Sequence, residues 1–219
     1  KNYLKNKEEI TMCVDPDLEP FEIINKNGVH EGISADLINL ISKKLDIKIR
    51  LIPTKTWEET LNFSKEKKCD ILSFLNETPK RKEWLNFTNP IFEDPNVIVG
   101  RNEFDNIEDL SKLQNKTIAI PKGTAMYEKF EKDFPNLIII PVETENEAFS
   151  LVENKKADMT VRSLIIAAYT IKKENLFNLK ILAKPLEYKN QLRIGVIKEE
   201  PILVNILNKG IKNITKEEH

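Results

Sequence analysis

The segment that organises this sequence is Asp70–Thr88, DILSFLNETPKRKEWLNFT. It opens with an uninterrupted apolar run, Ile71–Leu75, which has the length and composition of a buried strand. Thr78 then stands where a helix N-cap is expected, and Pro79 takes the first helical position, where proline is best tolerated. Arg81 is therefore predicted in the first turn of a helix, where the positive end of the helix dipole disfavours a cation.

An arginine in that position favours an anion-binding site. Free backbone N–H groups at a helix start, the side chain of Asn76 and the Arg81 guanidinium together suit a carboxylate held by two N–H···O bonds. The alternative is an exposed arginine on a short helix, and an isolated Thr-Pro-x-Arg pattern favours that alternative. The rest of the chain has to decide between the two.

The composition is that of a folded domain with no nucleic-acid surface. The chain has 219 residues, of which 40% are hydrophobic and 32% are charged, and its net charge is −1. No apolar run reaches the roughly 18 residues of a transmembrane helix, and no signal peptide is evident. The start at Lys1 and the ending Lys216–His219 suggest a piece of a longer protein, so either kind of segment could lie outside it.

The cysteines and histidines limit the chemistry. Cys13 and Cys69 adjoin strand-like runs and are predicted to be buried free thiols, although a disulfide is possible if those strands are neighbours. The only histidines are His30 and His219. A His-rich metal site, a Ser-His-Asp triad and a Cys-His dyad all lack residues, unless His30 serves alone. We therefore predict neither a metal site nor a cofactor.

The first part of the chain alternates strands and helices. Asn27-Gly28 predicts a hairpin, Ser34 is expected to cap a helix, and Thr56-x-x-Glu59 is a capping box that opens another helix. The predicted strands are 10–14, 48–52 and 70–75. This βαβαβ order indicates a parallel sheet covered by helices.

A second α/β unit follows a strand at 96–100. A short helical turn is predicted at Ile107–Leu110, a second capping box at Thr144-x-x-Glu147, and a helix N-cap at Ser163. The remaining predicted strands are 117–120, 137–140, 158–161, 179–182 and 191–197. The remaining predicted helices are 125–132, 164–172 and one that opens at Pro201. No fixed-period repeat is apparent.

The order of elements predicts an α/β fold of two lobes joined by two hinge strands. Lobe 1 is expected to span residues 1–98 and to be completed by 189–219, and lobe 2 to span 99–188. Ligands in such folds bind at the carboxyl ends of parallel strands. The loops expected there are 15–21 and 76–81 in lobe 1, and 122–126 and 162–163 in lobe 2.

The chain resembles the family-3 extracellular solute-binding proteins, which have the type II periplasmic-binding-protein or Venus flytrap fold. The resemblance covers nearly the whole chain. It rests on VDPDLEPFE (14–22), EGISADLINLISKKLDIKI (31–49), TPKR (78–81), LNFTNP (85–90), LSKLQNKTIAIPKGT (110–124) and KADMTV (156–161). VDPDLEPFE and LNKGIKNITKEEH (207–219) are similar to the sensor branch found in histidine kinases and diguanylate cyclases.

The resemblance implies a role for each residue that matches the family's binding site. Arg81 would hold the ligand carboxylate, Asn76 would hydrogen-bond the ligand, and Ser73 would make a backbone contact. The wall of the first lobe would be lined by Asp15, Leu18 and Trp57. The second lobe would contribute the turn Gly123, Thr124 and Ala125, and the pair Arg162 and Ser163.

Several departures from the family pattern bear on the ligand. The loop that leads to Arg81 is one residue shorter than in many amino-acid binders, Phe74 replaces a small residue and Leu18 replaces an aromatic one. Ser163 stands where amino-acid binders carry an aspartate for the ligand's ammonium, and Arg162 adds positive charge. The simplest hypothesis is a small anionic ligand without the standard ammonium contact, unless Asp15 or another acid supplies a partner.

The leading functional hypothesis is a periplasmic ligand-sensing domain that binds a small anionic or amino-acid-like ligand. It would be anchored to the membrane by flanking segments and could form a homodimer in the full-length sensor. The second hypothesis is a free binding protein of an ABC importer for a polar amino acid. The third is a dehydratase-like enzyme, for which the candidate acids and bases are Asp15, Glu19 and Glu77.

Overall fold

The structure is a computed structural model that describes residues 2–183, 186–187 and 189–219. The chain forms two compact units: Lys1–Glu93 with Gln191–His219, called unit 1, and Asp94–Asn190, called unit 2. It passes from one to the other within β8 (Phe92–Arg101) and returns within β13 (Lys189–Ile197). The predicted lobe boundaries, 98/99 and 188/189, fall inside or at the start of the same two strands.

Unit 1 is a mainly parallel sheet covered by helices. Its other strands are β1 (Ile10–Cys13), β2 (Asp17–Leu18), β3 (Glu22–Ile24), β4 (His30–Glu31), β5 (Ile49–Leu51), β6 (Ile71–Leu75) and β7 (Leu85–Phe87). Its helices are α1 (Asn2–Asn6), α2 (Ile33–Leu45), α3 (Trp57–Lys65), α7 (Pro201–Lys212) and a 3₁₀ turn at Arg81–Glu83. β1 pairs in parallel with β5 and β6, whereas β13 pairs antiparallel with β6 and β7. The predicted βαβαβ arrangement is confirmed.

Unit 2 repeats this arrangement. Its other strands are β9 (Thr117–Pro121), β10 (Ile138–Val142), β11 (Met159–Ser163) and β12 (Leu179–Ile181). Its helices are α4 (Ala125–Asp133), α5 (Glu145–Glu153), α6 (Leu164–Lys173) and a 3₁₀ turn at Leu110–Lys112. β9 pairs in parallel with β10 and β11, and β8 pairs antiparallel with β11 and β12. The carboxyl ends of β9 and β11 therefore lie at one edge of this sheet, as those of β1 and β6 do in unit 1.

Three local predictions need correction. Ser34 does not cap α2, because the helix begins after Gly32, which has a φ of 113° and would place a Cβ 2.4 Å from the Phe21 carbonyl oxygen. The helical turn expected at Ile107–Leu110 lies three residues later, and Ile107 instead forms a bridge with Ala183. The strand expected at 96–100 begins earlier, at Phe92. Its first residues include Asp94 and Pro95, which interrupt the apolar pattern by which a buried strand is predicted.

The two units share a short sequence pattern. Residues 56–73 and 144–161 align at an offset of 88. In each copy a threonine caps a helix by accepting a hydrogen bond from a glutamate N–H, at 3.1 Å from Thr56 to Glu59 and 3.1 Å from Thr144 to Glu147. Few residues besides these caps and the Lys-Lys-x-Asp motif are identical in the two segments. The sequence similarity between them is therefore weak.

The repeated aspartates tie strands together in the same way. Asp70 Oδ2 accepts hydrogen bonds from Thr11 N at 2.9 Å and from Thr11 Oγ1 at 3.0 Å. Asp158 Oδ2 accepts from Thr117 N at 2.8 Å and from Thr117 Oγ1 at 3.1 Å. Asp70 has a further partner, because Lys7 Nζ lies 2.9 Å from its Oδ1. Asp70 thus fastens the start of β6 to β1, and Asp158 fastens the start of β11 to β9.

Replacing either aspartate with alanine is expected to lower the free energy of unfolding by about 2–4 kcal/mol, because a partly buried threonine N–H and hydroxyl lose their partner. Asp70→Ala should cost more than Asp158→Ala, since it also leaves Lys7 without one of its two carboxylates. Urea titration followed by circular dichroism measures both. Glu66→Ala, which removes an exposed acid, is the control. A change below about 0.5 kcal/mol for both aspartates would contradict the proposed fastening.

The two cysteines are free and buried, as predicted. They lie in one apolar cluster of unit 1 together with Leu72, Leu75 and Leu85. A hydrogen bond with Cys13, reinforced by burial, raises the pKa of the Cys69 thiol. Both cysteines are therefore core side chains in this structure.

Within the described residues, the structure contains no helix of the length and apolarity that a bilayer crossing requires.

Candidate functional site

Arg81 lies at the start of a helical turn, as predicted, and this turn is a single 3₁₀ turn, Arg81–Glu83. Thr78 does act as a cap, because its Oγ1 accepts a hydrogen bond from Arg81 N at 3.1 Å. The turn ends at Trp84, and the chain then enters β7 at once. The helical turn cannot continue because the next residues, Leu85–Phe87, form β7 and pair with β13.

The Arg81 side chain is held in place and is not an exposed surface arginine. Only 5% of the residue is exposed. Its Nη1 donates a hydrogen bond to the Asn76 carbonyl oxygen at 2.8 Å, and its Cζ lies 5.5 Å from the centroid of the Trp57 ring. A guanidinium stacked on an aromatic face loses little entropy when it binds a carboxylate. The structure therefore brings together three of the predicted site residues, Arg81, Asn76 and Trp57.

The Asn76 side chain connects this group to the strand β13. Its Oδ1 accepts a hydrogen bond from Gln191 N at 2.9 Å. The amide oxygen is thus oriented by the backbone of the residue at which the chain re-enters unit 1.

A buried glutamate that the sequence did not single out connects two other predicted residues. Glu22 is 1% exposed and accepts hydrogen bonds from Asp15 N at 2.9 Å and from Ser73 Oγ at 2.6 Å. His30 Nε2 lies 2.9 Å from the same carboxylate. The Ser73 hydroxyl is therefore occupied by Glu22, and the backbone contact of Ser73 with a ligand stays a prediction.

This Ser-Glu-His group does not have the geometry of a catalytic triad. In a triad the histidine stands between the serine and the acid and accepts the serine proton. Here the Glu22 carboxylate accepts a hydrogen bond from the Ser73 hydroxyl, and the same carboxylate contacts the His30 ring directly. The group therefore positions Ser73 and Asp15 and does not activate a nucleophile.

The remaining predicted residues of unit 1 have structural partners of their own. Asp15 Oδ1 accepts a hydrogen bond from Asp17 N at 3.0 Å, which is the turn-forming alternative for an aspartate before proline. Leu18 is half-buried in β2 and pairs with Glu22. Phe74 packs edge-on against Phe21, with ring centroids 5.3 Å apart, so its bulk fills the core of unit 1.

In unit 2, the predicted turn leads directly into α4. Gly123 has a φ of 72°, a conformation that favours glycine, and Thr124 caps the helix by accepting a hydrogen bond from Tyr127 N at 3.3 Å. The Thr124 hydroxyl donates its proton to the Pro121 carbonyl oxygen at 2.8 Å. Ala125 is the buried first residue of α4. The groups of this turn that suit an anion are therefore backbone N–H groups at the helix start.

Arg162 was expected to add positive charge to the site, and the structure corrects this expectation. Its Nε lies 2.5 Å from Glu145 Oε2, and both side chains are largely buried. Burial raises the pKa of the Glu145 carboxyl, and the Arg162 guanidinium acts in the opposite direction. The charge of Arg162 is thus directed at Glu145, the first residue of α5.

The buried Glu145 predicts a pH dependence of stability. A carboxyl whose pKa is raised by folding binds more protons in the folded state, so its contribution to stability falls as pH rises from the ordinary value of 4.5 through the raised pKa. Glu145→Gln should therefore gain stability relative to the wild type over that range, whatever constant offset the unpaired Arg162 adds. Guanidinium unfolding between pH 4 and 8 measures this difference, with Glu143→Gln as the neighbouring exposed control. A difference that is independent of pH would contradict the prediction.

Ser163 occupies the N-cap of α6, as predicted, and contacts an acid that the sequence did not indicate. Its Oγ accepts a hydrogen bond from Ile166 N at 3.3 Å and donates one to Asp94 Oδ2. Asp94 lies 69 residues earlier in the chain, at the start of unit 2. No spacing rule connects two residues so far apart, which is why the contact could not be predicted.

Comparison with known proteins gives a family. A sequence profile described as "Bacterial extracellular solute-binding proteins, family 3" matches residues 10–219. The virulence sensor protein BvgS of Bordetella pertussis is 24% identical over 199 residues, which are 91% of this chain and 16% of BvgS. ABC transporter arginine-binding protein 1 of Escherichia coli K12 is 23% identical over 152 residues, which are 69% of this chain and 61% of that protein.

A solved structure confirms the predicted type II fold. The crystal structure of the periplasmic VFT2 domain of B. pertussis BvgS matches with a TM-score of 0.89 at 22% sequence identity, and covers 99% of this chain and 92% of that domain. The match thus covers most of that domain, but it spans only about a sixth of the full length of BvgS.

Proposed function

The chain belongs to the bacterial extracellular solute-binding proteins of family 3, and from this premise we propose that it is the ligand-sensing domain of a membrane-anchored signalling protein. It is a Venus flytrap domain of the kind found in BvgS, and it lies outside the cytoplasm, as its family does. Ligand binding would shift a conformational equilibrium of the domain, and flanking segments would carry that shift to the membrane.

The proposed ligand is a small carboxylate or an amino-acid-like compound. The observation that carries this proposal is the buried Arg81 guanidinium, held by the Asn76 carbonyl and the Trp57 ring. A planar guanidinium matches a carboxylate with two parallel hydrogen bonds. The N-terminus of α4 offers backbone N–H groups for the same kind of anion.

The relation to BvgS supports a sensor over a transport component. The match covers 91% of this chain and 16% of a protein named a virulence sensor. We therefore expect the intact gene to encode a transmembrane helix and an output module beside this domain. A reading frame that ends shortly after His219, within an operon of importer genes, would contradict the sensor proposal.

The second candidate is a free binding protein that delivers an amino acid to an ABC importer. The observation that favours it is the match to the arginine-binding protein of E. coli, which extends over 61% of that protein. A single domain secreted without a membrane anchor is what this candidate requires. The gene context described above separates it from the sensor.

A thermal-shift screen tests ligand binding itself. The purified domain is heated with each common L-amino acid and with a set of mono- and dicarboxylates. A compound at 100 times its Kd should stabilise the folded state by about 2.7 kcal/mol, which raises the midpoint of a domain of this size by about 5–11 °C. Failure of every carboxylate and amino acid at millimolar concentration would contradict the proposed ligand class.

A further inference from the structure

A cavity of about 800 Å³ lies entirely within unit 2. Binding pockets for small molecules measure about 300–1,000 Å³, so this cavity has the size of a ligand site. Part of its lining comes from the segment Asn106–Leu110, which precedes β9. Another part comes from the end of β12 and from residues after it, and Phe134 at the end of α4 also contributes. These residues are separate from the predicted carboxylate site.

Backbone hydrogen bonds hold the lining in place. Ile107 N donates to the Leu182 carbonyl oxygen at 2.6 Å, and Ile107 forms a parallel bridge with Ala183. Leu186 N donates to the carbonyl oxygen of Asn96, in β8, at 2.9 Å. The lining is therefore preformed, so that binding would need little further ordering of the chain.

The apolar part of the lining is continuous with the hydrophobic core of unit 2. Leu110 and Leu182 are 6% and 2% exposed and belong to the same core cluster as Phe130. Four half-buried side chains of the lining pack against that cluster: Ile107, Phe134, Ala183 and Leu186. The core covers these four side chains only in part, so an apolar ligand that fills the cavity would remove more of their surface from water.

The charged part of the lining is negative. It consists of Glu108, Asp109 and Glu187, and the described residues that line the cavity include no lysine or arginine. Lys112 lies in the adjacent 3₁₀ turn and Lys180 lies in β12, but neither of them lines the cavity. Three carboxylates would therefore repel an anionic ligand and attract a cationic one.

Two further features favour a cation. Hydrogen bonds from the Ser111 hydroxyl, at 2.6 Å, and from Ser111 N, at 3.0 Å, lower the pKa of the Asp109 carboxyl, which therefore stays ionised at neutral pH. In addition, Phe134 is the C-cap of α4, and the C-terminal end of a helix carries a partial negative charge. The cavity thus combines apolar surface with groups that attract a positive charge.

We propose that this cavity is a second binding site of the domain, which takes a small organic cation with an apolar body, such as an arylalkylammonium or alkylammonium compound. The apolar body would pack against Ile107, Phe134 and Leu186, and the ammonium group would face the three carboxylates. This inference goes beyond the proposed function, because its site and the charge of its ligand both differ from those of the Arg81 contact.

NMR titration of the methyl-labelled domain tests the inference with two matched probes. 3-Phenylpropylammonium has the proposed chemistry, and 3-phenylpropan-1-ol has the same apolar body without the charge. The ammonium probe should shift the methyl signals of Ile107, Ile181 and Leu186 in a saturable way, because its ring would lie beside them. At low salt it should bind about 10-fold tighter than the alcohol. This difference should shrink as the salt concentration rises, since salt screens exposed charges.

Variants separate the role of the carboxylates from that of the apolar surface. The double variant Glu108→Gln, Glu187→Gln removes two exposed charges of the lining. It should bring the affinity of the ammonium probe to within about 3-fold of that of the alcohol, whose own affinity should not change. Ile181→Ser removes apolar surface and should weaken both probes by about 3-fold or more. Glu131→Gln removes an exposed acid outside the cavity and should change neither affinity.

The outcomes decide the inference independently of the proposed function. Absence of saturable methyl shifts at millimolar probe, equal affinities of the two probes, or an ammonium affinity that the double variant leaves unchanged would each overturn it. Loss of the shifts in Arg81→Ala would place the probe at the carboxylate site and overturn it as well. Failure of the thermal screen for carboxylates would leave it intact, because Arg81 takes no part in the cavity. Thermal midpoints verify that each variant is folded.

Discussion

Replacing Arg81 with alanine is expected to lower the affinity of the domain for its carboxylate ligand by a factor of about 100 to 10,000. A hydrogen bond to a charged group contributes about 1.5–3 kcal/mol, and the guanidinium is proposed to make two. Their loss, about 3–6 kcal/mol in total, corresponds to about two to four decades at 1.4 kcal/mol for each decade. Isothermal titration calorimetry with the best compound of the thermal-shift screen measures the change.

Two further variants show whether the geometry of the guanidinium matters or only its charge. Arg81→Lys keeps the charge but loses both the planar fork and the stacking on Trp57, so it should recover only a small part of the affinity. Arg50→Ala removes a half-exposed arginine that is paired with Glu9, and it should leave the affinity unchanged. Equal affinities for the wild type and Arg81→Ala would refute the carboxylate contact.

Replacing Phe130 with alanine is expected to cost about 3–5 kcal/mol of the free energy of unfolding. The Phe130 ring is fully buried in unit 2 and lies 4.8 Å from the ring of Phe134. Its removal leaves a cavity between α4 and the apolar residues of β9, such as Ile118 and Ile120. For a domain of this size the thermal midpoint should fall by about 6–20 °C.

The same substitution also tests how the predicted anion contact is supported. The N-terminus of α4, with its cap Thr124, is held on unit 2 by the packing of Phe130. We therefore expect a lower ligand affinity in addition to the lower stability. Phe177→Ala is the matched control, because that ring is 72% exposed and its loss should change stability by less than about 0.5 kcal/mol. Similar stabilities for the two variants would show that the core of unit 2 does not depend on Phe130.

Local patterns in the sequence were sufficient to predict most elements of the fold. The run at 71–75 is a strand in which every residue is buried, and Thr56 and Thr144 both cap their helices as predicted. Apolar periodicity and cap residues act over a few positions along the chain, and so they can be read without knowing what the element packs against. Even the turn at Arg81 was located correctly, although its helix proved to be a single 3₁₀ turn.

Long-range contacts decided what the candidate site residues do. Glu22 lies 51 residues from Ser73, and Asp94 lies 69 residues from Ser163, so neither pair has a spacing that a motif could capture. Arg162 illustrates the consequence. In the sequence it is a cation beside the site, whereas in the structure it faces Glu145, a residue of a preceding helix.

The sequence by itself determined the family, the order of strands and helices and the position of Arg81, because these depend on local propensity and on motifs that extend along the chain. Only the tertiary structure decided which groups remain available around those motifs. It stacked Arg81 on Trp57, paired Arg162 with Glu145 and directed the Ser163 proton toward Asp94. The physical reason is that a hydrogen-bonding group has a limited number of donors and acceptors, and folding determines which of them are already used.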